Sequence, residues 1–307
     1  VGGAGEKEFL RSGMGLDINS ALFLLDARKR GARFDETLML GRQSLNVYPA
    51  KMVSVLERHG LPADAFRRAG PECAYAEPFF QAIGARKISA MDASSFEGAE
   101  FVHDLNQPLP ESMKGRFDAV LDGGTVEHVF NVVEALRNTM ELVRPGGHLF
   151  LNSPANNLCG HGFYQFSPEF FFRALSPENG FEVQRMIIHH VGPFGPWYEV
   201  NDPEAIRARV ELITFTPVHL LVQARRVAVK PIFARMPQQS DYTVLWKDGE
   251  SKASDTPAPA PEAGRPTWLQ DHFPNIARAM HAVGVGIEFY RRQSLGNRKS
   301  FRKVPKP

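Results

Sequence analysis

Residues able to accept, donate or move a proton are concentrated in two short runs of this chain. The first, DGGTVEHVF, sets Asp122, Gly123 and Gly124 ahead of Glu127 and His128. An imidazole with an ordinary pKa of about 6.5 suits removal of a proton from a hydroxyl or an amine, so His128 is a candidate general base. The second run, GHGFYQFSPE, places His161, Tyr164 and Gln165 among Phe163 and Phe166. Donors interleaved with aromatic rings can stack on a sugar or an aromatic ring and bind its hydroxyls. His128 and His161 are the candidate catalytic residues, with Glu127, Tyr164, Gln165 and the more distant Trp197 as candidate substrate contacts. A purely structural aromatic cluster would use the same residue types, and the spacing leaves both readings open. A metal is not expected from the adjacent pair His189 and His190, because neighbours on a strand face opposite ways.

The elements that must position these residues follow from periodicity and punctuation. Phe117 to Asp122 reads as a buried strand, about Val126 to Val143 as an amphipathic helix with Glu127 and His128 in its first turn, and His148 to Ser153 as a second strand after a Pro-Gly-Gly turn. In such an α/β unit the polar residues stand just past the strand ends, where open parallel sheets bind ligands. Upstream, a helix begins at the N-cap Asp17 and stops at Gly31, and Glu36 to Leu40 forms a strand whose turn opens on Gly41. Helices are expected over Lys51 to His59 and around Tyr75 to Ile83, lying over the ligand end of the sheet. Lys87 to Met91 is a strand ending in Asp92, and Phe101 to Asp104 another ending in an acid. Downstream, Ser167 caps a helix with Pro168 at its first position, Asn179 and Gly180 end it, and Phe181 to Ile188 and Thr214 to Gln223 are strands. Gln239 to Lys247 reads as an edge strand or extended arm, and Trp268 to Arg292 as a largely helical stretch with Ile276, Met280, Val283 and Ile287 near helical spacing.

The order of these motifs resembles the class I, S-adenosylmethionine-dependent methyltransferases. The resemblance covers about residues 36–224 and is carried by DGGTVEHV, LVRPGGHLFL and the FSPEFF…NGF pair. It implies a Rossmann-like, seven-stranded, mostly parallel sheet with helices on both faces, here with a C-terminal extension. It also implies S-adenosylmethionine as cofactor, with Asp92 on the ribose hydroxyls, Asp104 near the adenine amino group, and Gly41, Asp122, Gly123 and Gly124 lining its methionine end. The family usually has a Gly-x-Gly-x-Gly loop after the first strand. This chain has GRQSLNVYP, which adds Arg42 and Gln43 to the cofactor-binding candidates. The implied activity is methylation at O or N of a polar small molecule, such as a sugar or natural-product intermediate. The alternative is a binding or scaffold protein of the same fold with a degenerate cofactor site. A nicotinamide-dependent oxidoreductase fits worse, since a turn with one glycine is poor for a pyrophosphate.

The 307 residues suffice for one large core with an appendage, and an apolar fraction of 43% with 23% charged residues is that of a globular, water-soluble chain. The expected division is a tag or disordered lead over 1–13, a core over 14–230 with an insertion at about 45–72, an arm and Pro/Ala-rich linker over 231–266, and a C-terminal helix with a basic tail over 267–307. Neither Cys73 nor Cys159 has a CxxC partner, and no signal peptide or membrane-length apolar run is present, so the cytoplasm is the expected compartment. Seven of the 36 Lys and Arg fall in the last 17 residues, leaving 29 against 34 acidic residues. The slightly acidic body argues against a nucleic-acid partner, and the tail is expected to be a solvated terminus. The apolar face of the C-terminal helix must pack on the core or on a second copy, which makes a homo-oligomer an expectation.

Overall fold

The computed structural model describes residues 15–69, 74–95, 97–243 and 272–307. The lead 1–13, the linker and Cys73 lie outside these residues. A two-residue strand β1 (Leu16–Asp17) runs into helix α1 (Ile18–Lys29), and β2 (Glu36–Leu40) follows. The Asp17 carboxylate caps α1 by accepting Ser20 N–H at 2.8 Å. Strand β3 (Leu45–Asn46) pairs with β1, and helices α2 (Pro49–Arg58), α3 (Asp64–Ala69) and α4 (Glu77–Ala82) complete the long connection to β4 (Lys87–Asp92). Next come β5 (Phe101–Val102), β6 (Phe117–Asp122), α5 (Val132–Leu142) and β7 (Val143–Asn156). The chain continues through α6 (Pro168–Ala174), β8 (Phe181–His190), β9 (Trp197–Val200), α7 (Pro203–Ile206), β10 (Val218–Arg226), α8 (Pro274–Arg292) and β11 (Phe301–Val304).

The main sheet has nine strands in the order β11-β9-β8-β10-β7-β6-β2-β4-β5. From β5 to β7 neighbouring strands are parallel, whereas β10 is antiparallel to both β7 and β8, and β9 and β11 add an antiparallel edge. The fold is α/β and Rossmann-like. The expected count of seven strands is exceeded because Trp197–Val200 and Phe301–Val304 extend the sheet beyond β8. The basic tail is therefore not a free arm over its whole length. Phe301 is buried, Arg302 pairs with Glu199, and Lys306 Nζ donates to Asn19 Oδ1 at 2.7 Å.

Alternation along the central strands divides the core into two layers. Val120, Leu149 and Leu151 face one side with Met140, Phe171 and Leu175 of the helical layer, while Ala119, Leu121 and Phe150 face the other. That second layer holds α1 and the α2 to α4 insertion, with Phe23, Val55, Phe79 and Phe80 buried in it. Helix α1 is buried nearly all round, including Asn19 and Ser20, as befits a helix enclosed by the insertion and the sheet. One boundary differs from expectation for a reason of proline chemistry: β10 begins at Val218 instead of Thr214 because Pro217 has no N–H for a ladder. Helix α8 runs from Pro274, whose fixed φ suits a first helical turn, and the expected helical residues 268–271 lie outside the described residues. Residues 240–243 form a helical turn, closed by Thr243 Oγ1 to Ser240 O at 2.8 Å, in place of an edge strand. The rest of that segment lies outside the described residues. Helix α8 buries none of its residues against the described core, and no helix among them is long and apolar enough to cross a membrane.

Candidate functional site

Strand order reverses between β2 and β6: the chain proceeds from β2 outward through β4 and β5, then returns to β6 and proceeds the other way to β7. Ligand crevices of open α/β sheets form at such a reversal, outside the carboxyl ends of the strands. Gly41, at the end of β2, has a φ of +68°, a conformation that glycine adopts without a Cβ penalty. A side chain there would reach Thr125 Oγ1 at 3.5 Å, Gln43 Nε2 at 3.7 Å and Asp92 Oδ2 at 4.0 Å. Gly41, Asp92, Gln43 and Thr125 thus meet at one point. Thr125 was not among the sequence candidates; its hydroxyl donates to Leu40 O at 2.8 Å and ties the end of β6 to that of β2.

The side chains of the GRQ turn are engaged by the protein. Arg42 pairs with Glu77 at 2.6 Å and stacks on Tyr75, 3.9 Å from the ring centroid, so its charge is directed to the insertion. Gln43 is buried and donates to Leu40 O at 2.6 Å and Gly41 O at 3.2 Å. Its amide lies against Gly123, where an added Cβ would be 2.0 Å from Gln43 Oε1. Asp92 is half-buried and accepts Ser94 N–H at 3.3 Å. Asp104 accepts the backbone N–H of Asn106 at 2.9 Å and its side-chain amide at 2.8 Å, which hold its carboxyl below the usual range.

Past β6 the arrangement is different. The expected single helix from Val126 is broken: Val126–His128 is a 3-10 turn and α5 starts only at Val132. The interruption falls at Val129–Asn131: Asn131 N–H donates to Asn106 Oδ1 at 3.0 Å and Glu127 O is taken by the GHG loop, so the helical bond between them is not made. Asp122 holds the turn to the strand end by accepting N–H groups of Gly124 at 3.2 Å, Thr125 at 2.7 Å and Val126 at 3.4 Å. Burial, reinforced by the nearby Glu127 carboxylate and opposed by those N–H groups, pushes Asp122 up to about 7. Glu127 is fully buried, and neither of its oxygens has a hydrogen-bond partner among the described residues.

The GHG loop lies directly on this turn. Phe163 and Tyr164 donate their N–H groups to Glu127 O at 2.9 and 3.3 Å, and Gly162 passes so close that a Cβ would be 2.8 Å from the same oxygen. His161 Nε2 is consequently 3.6 Å from Glu127 Oε1, and the His128 and His161 rings are 5.1 Å apart. The structure therefore brings His128, His161 and Glu127 together. Tyr164 holds the loop through its hydroxyl, which donates to Phe130 O at 2.7 Å, and Gln165 does so by accepting Leu158 N–H at 2.8 Å. Phe130 and Phe163, both exposed, meet edge to face at 5.6 Å on the rim.

Trp197 corrects the expectation of a substrate contact. It is fully buried, packs against Phe23 at 6.2 Å and donates its indole N–H to Asn19 Oδ1 at 3.0 Å, so it belongs to the core beneath β9. His189 is likewise buried, with burial holding it below its ordinary value, while Nδ1 of His190 meets the Thr216 hydroxyl at 2.6 Å.

No protein-family model matches the chain, and no curated protein matches it either. Among solved structures it is similar to the Burkholderia thailandensis 1,6-didemethyltoxoflavin-N1-methyltransferase with bound 1,6-didemethyltoxoflavin and S-adenosylhomocysteine, at 15% identity over 69% of this chain and 80% of that one, with a TM-score of 0.35. The N-methyltransferase NodS from Bradyrhizobium japonicum, in complex with S-adenosylhomocysteine, is similar at 13% identity over 73% and 96%, with a TM-score of 0.38. The trans-methyltransferase CalH, also in complex with S-adenosylhomocysteine, is similar at 13% identity; the match covers 66% of this chain but only 54% of CalH, with a TM-score of 0.35. Likenesses this distant assign no role to a residue, so the roles below rest on the chain's own side chains.

Proposed function

We propose that the chain is an S-adenosylmethionine-dependent methyltransferase that methylates O or N of a polar small molecule, a sugar or natural-product intermediate. The observation that carries the reading is the meeting of Gly41 and Asp92 at the reversal of strand order, beside Asp122, Gly123 and Gly124. A half-buried carboxylate offers several acceptor positions, which suits Asp92 to the ribose hydroxyls. Asp104, kept ionised by Asn106, suits the adenine amino group, and Gly41 lets backbone approach the methionine portion. When bound, the cofactor supplies an electrophilic methyl group on a cationic sulfur.

The chain's own residues supply orientation of the acceptor and a destination for its proton. His161, held beside Glu127, receives the proton, and the buried carboxylate stabilises the imidazolium that results. His128 stands exposed at the same cluster, where an acceptor can reach it. The exposed edge-to-face pair Phe130 and Phe163 offers a surface on which a ring of the acceptor can stack.

The second reading, a binding or scaffold protein of this fold, is favoured by Gln43, whose amide fills the space beside Gly123. Calorimetric titration with S-adenosylhomocysteine separates the two. Binding that is lost in Asp92→Ala supports the methyltransferase. A folded protein that fails to bind at millimolar ligand leaves the second reading standing.

A further inference from the structure

We propose that Glu127, His128 and His161 form a binding site for a divalent first-row transition-metal ion. One potential ligand atom from each residue lies within 4.8 Å of the others. Two imidazoles and a carboxylate are a donor set suited to Mn²⁺, Fe²⁺, Co²⁺ or Zn²⁺, and three ligands leave positions open for water or substrate oxygens. Metal–ligand bonds of about 2.0–2.2 Å need the three atoms somewhat closer than this upper limit. The exposed side chain of His128 has the freedom to close that gap by rotation.

The second, independent observation is the state of Glu127. It is fully buried, both carboxylate oxygens lack hydrogen-bond partners among the described residues, and Oε1 lies 3.6 Å from His161 Nε2, itself a buried atom with no hydrogen bond. Its neighbour Asp122 is different: three backbone N–H groups compensate it. A buried carboxylate is ordinarily paired, hydrogen-bonded or bound to a metal, because desolvation without compensation is costly. A cation at this point gives Glu127 the compensation that backbone donors give Asp122. The site is also held by backbone, since the N–H groups of Phe163 and Tyr164 on Glu127 O fix the His161 loop against the turn that bears the other two ligands.

The use of the ion rests on the methyltransferase reading: it would hold hydroxyl oxygens of the acceptor and make one of them more acidic. His128 and His161 would then be ligands, the acceptor proton leaving to solvent. The site itself depends only on the three side chains.

Full-length protein freed of metal with a chelator is titrated with Co²⁺, followed by visible absorption, and with Zn²⁺, followed by calorimetry. The expected result is one ion per chain and a Co²⁺ spectrum of mixed N/O ligation, with affinity at least tenfold weaker in both Glu127→Gln and His161→Ala. His128→Ala is added because an exposed side chain can be removed without disturbing the fold; it should weaken Co²⁺ binding by a similar factor. Absence of the spectrum, or equal affinity in wild type and His128→Ala, overturns the proposal and leaves a His161–Glu127 ion pair only. Titration with S-adenosylhomocysteine on the same samples keeps the two ideas apart. Cofactor binding without Co²⁺ binding sinks the metal site alone, and Co²⁺ binding without cofactor binding sinks the methyltransferase reading alone.

Discussion

The turns after β2, β4 and β5 and those after β6 and β7 stand at the carboxyl ends of one sheet, yet they differ in how their polar side chains are satisfied. On the β2 side Arg42 is taken by Glu77, Gln43 by Leu40 O and Gly41 O, and Asp104 by Asn106. On the β6 side Glu127 is buried with neither carboxylate oxygen hydrogen-bonded, and the half-buried His161 has a buried Nε2 with no hydrogen bond. A surface that has satisfied itself can bind a ligand with little rearrangement, whereas unsatisfied buried groups in low dielectric are where charge and protons are handled. On the proposed reading, the difference separates a cofactor-binding half from a reacting half.

The largest expected effect breaks the binding half. Asp92→Ala should weaken S-adenosylhomocysteine binding by about 100-fold or more, since two hydrogen bonds to a charged group contribute about 1.5–3 kcal/mol each. Its melting temperature should hardly move, because the side chain is half-exposed. Unchanged affinity by calorimetry would show that the β4 end is not a cofactor surface. The reacting half breaks at Gly162. An alanine Cβ there would sit 2.8 Å from Glu127 O, a backbone atom with little room to yield, so the loop must lift and carry His161 from Glu127. Displacement of this kind can lower turnover by about 100-fold. Cofactor affinity should survive in Gly162→Ala, and a loss of affinity equal to the loss of turnover would erase the division into halves.

Gly123 sharpens the same contrast with a smaller effect. Its obstacle is the amide of Gln43, a side chain, so Gly123→Ala should destabilise by about 1–3 kcal/mol through overpacking. The double variant Gln43→Ala/Gly123→Ala should recover most of that in urea denaturation. No recovery would mean that Gln43 is not the group in the way.

The elements of the proposed binding half were legible in the sequence, because a strand there runs directly into a glycine or an acid: Glu36–Leu40 with Gly41, and Lys87–Asp92. The reacting half was legible only as ingredients. His161 is 34 residues from Glu127, and two backbone hydrogen bonds to a carbonyl, which leave no mark on side-chain pattern, bring them together. The break after Val126–His128 escaped for a related reason, since VEHVFNVVEAL keeps helical periodicity while distant partners, Asn106 Oδ1 on Asn131 N–H and the GHG loop on Glu127 O, take the groups of the helical bond. Trp197 was misread as a substrate contact because an aromatic beside Gly and Pro reads as part of an exposed loop, whereas it lies in an edge strand paired with β11 and packs on Phe23 and Asn19. That pairing was itself hidden by a charged segment, FRKV, too short for alternation to register.

The smallest effect concerns pH, and its sign differs between the halves. Asp122 titrates at about 7 in the folded chain against an ordinary 3.8, so between these values the folded state keeps a proton that the unfolded state has released. Stability from this group is complete below about pH 4 and is lost as pH rises to about 7, with a slope of at most about 1.4 kcal/mol per pH unit for one proton. Asp122→Asn retains a carbonyl oxygen for the Thr125 and Gly124 N–H groups and cannot ionise, so urea denaturation at pH 5 and pH 8 should show a smaller fall for the variant than for wild type. Asp104, lowered by its bonds from Asn106, has the opposite sign: what it contributes is present above its unfolded value and lost as pH falls. It is fully exposed, so Asp104→Asn should leave the interval from pH 5 to 8 unchanged. Equal slopes for wild type and Asp122→Asn would mean that the three backbone donors outweigh burial and the Glu127 charge, and the β6 turn would then be as self-satisfied as the β2 turn.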